Sequence, residues 1–335
     1  MGGNQRVVAR RIHRFAVFTA CATFLLVIAG GVVTSTGSGL SVPDWPLSYG
    51  TLMPPMVGGI MYEHGHRMIA TVVGFLTCLL AVWLWRKDNR LWVRYLALIA
   101  VGAVILQGVL GGLTVLFLLP TPVSVAHATL AQSFFTLTIV LALVTSPAWQ
   151  WEPIVELPGI GPTRRLTAIL SVCIFVQLIL GSWMRHSQAG LAIPDIPFAY
   201  GHLLPPINSG ELASINAIRE GMHLPIVSLG QIWVHYAHRV WAIVVAVVVF
   251  MTAIYILRTF KEDRRLREPA LILVVLVLVQ LLLGLFTVST GKDAFVATCH
   301  VSVGALLLAT SVGLSVRAYG MYRPPQRGTK LSLVA

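Results

Sequence analysis

The chain has 335 residues, 56% of them apolar and only 11% charged, with a net charge of +12 and a mean hydropathy of +0.82. That balance excludes a soluble globular domain and makes the lipid bilayer the solvent. The basic excess would fit a nucleic-acid partner only if it formed a patch, and its distribution along the chain shows that it does not.

In chain order, Arg6, Arg10, Arg11 and Arg14 precede a first apolar stretch near 15–33. It runs into Gly30-Gly31 with no small-x-small cleavage site, so the reading is a retained span rather than a signal peptide. Further stretches lie near 62–85, 95–118 and 123–146, then near 166–184, 232–257, 269–289 and 295–318. Each holds about twenty residues, enough to cross roughly 30 Å of hydrocarbon. The expectation is an all-α, multi-pass integral membrane protein with eight transmembrane helices. Arg86, Lys87, Arg90 and Arg94 lie between the second and third spans, and Arg164 and Arg165 between the fourth and fifth. Arg258, Lys261, Arg264, Arg265 and Arg267 follow the sixth span, and Arg317, Arg323, Arg327 and Lys330 end the chain. These 19 of the 24 basic residues fall on one side if the spans alternate. That is the positive-inside pattern, which puts both termini in the cytoplasm of a cell (inner) membrane and leaves no basic patch for nucleic acid. Cys21, Cys78, Cys173 and Cys299 all lie inside spans and read as packing residues, not as disulfides.

The sequence repeats itself. Gly39-Leu40, Pro43-Asp44, Pro46, Tyr49-Gly50 and Pro54-Pro55 return 151 residues later as Gly190-Leu191, Pro194-Asp195, Pro197, Tyr200-Gly201 and Pro205-Pro206. His66-Arg67 returns as His238-Arg239 at a shift of 172, so the second repeat carries about 21 additional residues, within 207–229. There Leu212, Ile215, Ile218 and Met222 recur at helical spacing and predict a short helix on the outer surface. Gln107, Gly111, Thr114 and His127 return as Gln280, Gly284, Thr287 and His300, at a constant shift of 173. Four spans per repeat make both repeats enter from the same side. The expected architecture is two parallel-repeat four-helix bundles related by a pseudo-twofold axis along the membrane normal. The expected divisions are an N-terminal half over 1–146, a Pro/Gly-rich linker over 147–165, a C-terminal half over 166–318 and a tail over 319–335.

Ionisable groups inside spans are costly and mark function. His66, His127, His238 and His300 each fall four to six residues after the outer start of a span, roughly 6 to 9 Å deep at 1.5 Å per residue. A pair per bundle, on its second and fourth helices, suits bis-histidine ligation of a haem iron; hydrogen bonding across a helix interface is the plain alternative. Zinc fits less well, because a tetrahedral site needs three or four converging ligands. Arg67 and Arg239 stand on the outer side, where haem propionates would end, or else snorkel to lipid phosphates. Glu63, the one acidic residue in or at the edge of a span, shares a helical face with His66 and is a candidate proton acceptor, or a partner for Arg67. Its counterpart is His235. His64 points about 200° away from His66 around the helix, while His13, His186, His202 and His223 read as surface residues. The segments around Trp45-Pro46 and Phe198-Ala199-Tyr200 are expected to fold over the sites as lids.

These residues resemble the haem A synthase family over nearly the whole chain. The resemblance rests on Thr36-Gly37-Ser38-Gly39-Leu40 with Pro43-Asp44-Trp45-Pro46-Leu47, and on Glu63-x-x-His66-Arg67. Arg185-His186 followed by Gly190-Leu191-Ala192, His235-x-x-His238-Arg239, and the histidines of the fourth and eighth spans complete it. It implies a haem b held by His238 and His300, and a substrate haem O received by His66 and His127. Glu63 then serves the stepwise oxidation of a ring methyl, through an alcohol, to the formyl group of haem A for cytochrome oxidase. Arg67, Arg239, Arg185 and His235 serve as propionate and support residues. A haem O synthase, an electron donor such as quinol and a second copy of the chain are the partners left open. Relatives carry cysteine pairs where this chain has Val42 and Ser48, or Ile193 and Ala199, and some carry an arginine where it has Thr34. The competing readings are a two-haem membrane cytochrome exchanging electrons with quinone and a haem transporter or chaperone. Glu63, present in one half only, separates them from the enzyme.

Overall fold

A computed structural model describes residues 3–206 and 208–325, with side chains from Arg6 onward. The chain folds into helices α1 (Gly3–Ser35), α2 (Gly58–Lys87), α3 (Leu91–Leu116), α4 (Thr121–Val144), α5 (Pro147–Trp151), α6 (Ile160–His186), α7 (Ser209–Gly221), α8 (Leu229–Thr259), α9 (Arg264–Ser289) and α10 (Ala294–Gly320). Two short strands, β1 (Val155–Glu156) and β2 (Tyr322–Arg323), pair in parallel. Eight of these helices, all but α5 and α7, are long and apolar enough to cross a membrane, as the eight stretches predict. A helix satisfies its own backbone in lipid, so long apolar runs whose charged residues stand near their ends fold this way.

The ends are set by local chemistry. Asp263 and Asp293 accept from the first backbone N–H groups of α9 and α10, and Ser228 and Gln231 form a capping box on α8. Pro269 lies inside α9, where its missing N–H frees the carbonyl of Arg265; that oxygen accepts instead from Arg317 of α10 at 3.1 Å.

Within the Pro/Gly-rich segment of 147–165, α5 occupies the start and α6 begins at Ile160, after Gly159 at φ 82°. The inserted segment forms the helix α7, on which Ile215 is buried, while Ile218 and, just past the helix end, Met222 are each 61% exposed. The neighbour of Ile215 one turn on is a buried arginine, Arg219, whose guanidinium donates to Pro225 O at 2.7 Å and to Leu191 O and the Tyr200 hydroxyl at 3.3 Å. Finally, His13 and His186 are half-buried, not surface residues; His13 Nδ1 contacts Ala142 O at 3.0 Å. His202 and His223 are exposed, as expected. Arg327 and Lys330 of the tail lie outside the described residues.

Helix neighbours follow one pattern twice. In the first repeat α1 packs on α2 and α4, and α3 on α2 and α4; in the second α6 packs on α8 and α10, and α9 on α8 and α10. The second and fourth helices of each repeat therefore stand diagonally. Each set has its own apolar core, around Val73, Leu84 and Leu141 in one and Leu170, Val249 and Leu273 in the other. The two sets meet along α1, α4, α6 and α10, where Val27 and Phe135 of the first cluster with Ala305 and Ala309 of the second. At the end that carries the basic loops, β1 and β2 tie the inter-repeat segment to the chain's C-terminal part, and Trp149 of α5 packs against both cores.

Candidate functional site

The first candidate site begins with the loop between α1 and α2. Its tip is a tight reversal in which Asp44 accepts from the N–H groups of Tyr49 and Gly50 at 2.7 and 2.8 Å, with both residues at positive φ. Those two donors, Gly50 foremost, hold the Asp44 carboxyl below its usual range. The Tyr49 hydroxyl closes the loop on Ser41 O at 2.8 Å. Asp195, Tyr200, Gly201 and Ala192 reproduce every one of these bonds in the loop between α6 and α8. Burial raises the Asp195 carboxyl, but the Gly201 and Tyr200 donors and nearby Arg239 outweigh it and leave a net lowering.

Both loops are fastened to the next helix by an arginine. Arg67 donates to Asp44 O at 2.7 Å, Leu47 O at 2.9 Å and Val42 O at 3.3 Å; Arg239 donates to Asp195 O at 2.7 Å, Ile193 O at 2.8 Å and Phe198 O at 3.2 Å. The remaining direction differs. Arg67 pairs with Glu63 at 2.6 Å, and Glu63 also accepts the Val42 N–H at 2.8 Å. In the other repeat Arg239 Nε meets His235 Nε2 at 3.0 Å, and His235 Nδ1 accepts the Ile193 N–H at 3.3 Å. The first loop has one further tie: Ser48 Oγ and His64 Nδ1 lie 2.8 Å apart, both residues buried, while the corresponding Ala199 and Tyr236 make no such bond.

Beneath the loops stand the four histidines, each half-buried and each pressed against a glycine of a neighbouring helix. A Cβ built on Gly30 of α1 would lie 3.1 Å from His66 Cε1, and one on Gly181 of α6 would lie 2.9 Å from His238 Cε1. Gly111 of α3 and Gly284 of α9 stand in the same way to His127 and His300, both at 3.3 Å. A side chain at any of these glycines would push the imidazole. The rings belong to diagonal helices, α2 with α4 and α8 with α10. Gln107 donates to His127 O at 3.1 Å, and Gln280 Nε2 lies 3.3 Å from His300 Nε2. The Nδ1 atoms of His66, His127 and His300 are buried with no hydrogen-bond partner among the described residues. Such orphans are rare unless a further group completes them. Paired, glycine-backed imidazoles on diagonal helices fit a flat group with two axial positions, as a haem iron requires.

The model of the family described as COX15-CtaA, cytochrome oxidase assembly protein, matches residues 13–58 and 59–312. The chain belongs to the COX15-CtaA family. It is similar to the heme A synthase of Halalkalibacterium halodurans, 28% identical, with 90% of this chain and 95% of that protein covered. The heme A synthase of Shouchella clausii is 27% identical, covering 83% and 87%, and that of Geobacillus kaustophilus 25% identical, covering 87% and 86%.

In this COX15-CtaA chain the structure brings Glu63 and Arg67 together, and likewise His235 and Arg239. Arg185 stands apart from both pairs and donates to Ser35 of α1 at 3.2 Å. Sequence reasoning missed the glycine cradles, although Gly30 and Gly181 are related by the same 151-residue shift as the loops. It also missed Gln177, which donates to His238 O at 3.1 Å and has Leu26 as its counterpart. Ser48 and His64 were legible only as a serine in place of a cysteine and a histidine facing away from His66.

Proposed function

We propose that this chain is a haem A synthase built as two pseudo-twofold four-helix bundles, 1–146 and 166–318, joined by the inter-repeat segment. His238 and His300 would hold a haem b, and His66 and His127 would receive the substrate haem O. The matched helix neighbours, loops and glycine cradles support the paired sites; the basic residues on one side support cytoplasmic termini, with the sites toward the outer face.

The observation that carries the reading is the break in this symmetry. Among otherwise matched partners, a carboxylate stands at Glu63 where the second repeat has His235. A pure electron carrier has no need of that difference; an enzyme that converts one haem and keeps the other does. Bound in the first site, the haem iron would supply the oxidising chemistry at the ring methyl. The chain's own part is position and charge. The imidazoles fix the ring between diagonal helices, the fastened loop keeps water from it, and Glu63, held by Val42 N–H and Arg67, offers an acceptor for a proton leaving the oxidised carbon.

Pigment extracted from membranes making the full-length chain, with and without a supply of haem O, tests this. Haem A, or the alcohol on the way to it, is expected only with haem O. Two unaltered haems under both conditions would favour the electron-carrying cytochrome, and passage of unaltered haem O would favour a transporter.

A further inference from the structure

At the end of the protein that carries the basic loops, α1 and α2 enclose a groove of about 360 Å³, lined by Phe15 from α1 and by Leu79, Val82, Trp83, Arg86 and Lys87 from α2. It is open to the surroundings, with Leu79 42% and Val82 49% exposed. The rings of Phe15 and Trp83 meet across it, centroids 5.7 Å apart and planes tilted by 55°. Arg11 precedes Phe15 by four residues and Lys87 follows Trp83 by four, so on both helices a cation stands one turn beyond the ring, toward the same end of the protein. Arg11, Arg86 and Lys87 are exposed, and none has an ion pair with a carboxylate among the described residues. Asp88, the acid next in sequence, is taken by Arg90, which donates to its two oxygens at 3.0 and 2.6 Å. The groove is therefore apolar along its length and cationic at its mouth, with no anion of the chain to neutralise it.

The second repeat copies the helices but closes this place with its own chain. At the shifts of 151 and 172 residues, Arg11 becomes Pro162, Phe15 becomes Leu166, Trp83 becomes Tyr255 and Lys87 becomes Thr259; only Arg86 keeps its charge, as Arg258. The Tyr255 hydroxyl donates to Gly159 O at 3.0 Å, and its ring packs on Phe260 at 6.4 Å. A Cβ on Gly159 would lie 3.0 Å from Thr259 Cγ2, so the segment leading into α6 rests directly on the residue that replaces the lysine. Two cations and an open groove in one repeat are thus two neutral residues and a filled contact in the other.

We propose that the groove between α1 and α2 binds one anionic phospholipid, with an acyl chain along Phe15, Leu79, Val82 and Trp83 and the headgroup held by Arg11, Arg86 and Lys87. A free phosphate would gain nothing from the apolar lining, and a lipid without net charge would leave the cations uncompensated. The site is separate from the haem-binding reading, because Trp83 follows His66 by 17 residues on α2, about 25 Å along the helix axis at 1.5 Å per residue.

The test uses the full-length protein in detergent, stripped of lipid and titrated with phosphatidylglycerol or, separately, phosphatidylcholine. Native mass spectrometry counts the bound lipid, and the melting temperature follows its effect. Phosphatidylglycerol is expected to bind first and more tightly, and to raise the melting temperature as a ligand of the folded state does. Arg11→Gln and Lys87→Gln should each weaken that first binding about fivefold, and the two together roughly twenty-five-fold, as expected of basic groups at a membrane surface. Lys87→Arg should bind as wild type. Leu79→Trp, which fills the groove and leaves the charges alone, should weaken binding as well. Arg258→Gln, the matching cation of the second repeat, should leave it unchanged. Wild-type affinity in Arg11→Gln with Lys87→Gln, or in Leu79→Trp, would overturn the proposal. So would equal binding of phosphatidylcholine, which would show lipid contact without charge selection, or displacement of the lipid by millimolar inorganic phosphate, which would assign the cations to a free anion.

Discussion

Glu63 and His235 make the same bridge with different chemistry: each accepts a loop N–H, from Val42 at 2.8 Å or Ile193 at 3.3 Å, and each meets the arginine one turn further along its helix. An imidazole is enough to fasten the loop in the second repeat, and the proposed function gives the carboxylate of the first repeat a further part as proton acceptor. Glu63→Gln keeps an acceptor for Val42 N–H and removes the charge. The fold and haem content should survive, while conversion of haem O falls about 10²- to 10⁴-fold, the usual contribution of a positioned proton acceptor. Unreacted haem O or the alcohol should accumulate in extracted pigment. A normal yield of haem A would leave Glu63 a loop fastener only.

Replacing His238 or His300 should weaken the resident haem b, since each would be one of its two axial ligands. Replacing both should abolish its absorption while leaving the first site able to bind haem. An intact haem b spectrum and stoichiometry in the double variant would refute the ligand assignment.

The first loop should also depend on Ser48. Ser48→Ala removes the partner of His64 Nδ1, and His64 Nε2 is already buried without one. A buried polar group left unpaired costs about 1 to 3 kcal/mol. Faster amide exchange confined to 41–57 is the expected outcome, with the corresponding loop of the second repeat unaffected; equal exchange in both would dismiss the tie.

Much of this arrangement was legible in the sequence, for physical reasons. Charge placement and apolar run length fix membrane spans, so the eight spans and their order could be read directly. Proline, glycine and aspartate at a constant shift fix loop geometry, and the repeated Asp44 and Asp195 turns follow from it. The glycine cradles were less visible, because Gly30 or Gly181 inside an apolar helix looks like any small packing residue until a ring is seen against it. Arg67 and Arg239 read from the sequence as groups for propionates or lipid phosphates, and each also makes four hydrogen bonds to loop carbonyls or to the residue four positions earlier. A loop carbonyl has no side-chain signature, so this engagement cannot be read from residue types.

Asp44 makes the loop pH-sensitive in a defined direction. Its pKa in the folded protein is lowered from 3.8, chiefly by the Gly50 N–H. The stabilisation it gives is therefore complete above the unfolded value and is lost as pH falls through the lower, folded one. Protection of 41–57 from amide exchange should persist at pH 5 and above and fade only well into the acid range. Asp44→Asn should lower that protection throughout and flatten its pH dependence; a variant with the wild-type profile would remove Asp44 from the account.

The glycine cradles give a test in which two readouts move in opposite directions. Alanine in place of glycine inside a helix favours the helix by about 1 kcal/mol, so Gly181→Ala has no intrinsic reason to unfold α6. Its new methyl would lie 2.9 Å from His238 Cε1, too close for both to stay, and the imidazole must move. Gly181→Ala should raise or preserve thermal stability of the haem-free protein while reducing haem b occupancy and altering its spectrum. Gly284→Ala, at 3.3 Å from His300, should show the same effect more weakly. Gly30→Ala and Gly111→Ala should spare haem b and impair only the first site, read as poorer binding of haem O. Gly65, which has nothing within 4 Å of its Cβ position and lies next to His66 in sequence, is the control, and its alanine variant should bind both haems normally. If Gly181→Ala held haem b with wild-type occupancy and spectrum, the contact would be ordinary helix packing, and the glycine would not set the position of the ligand.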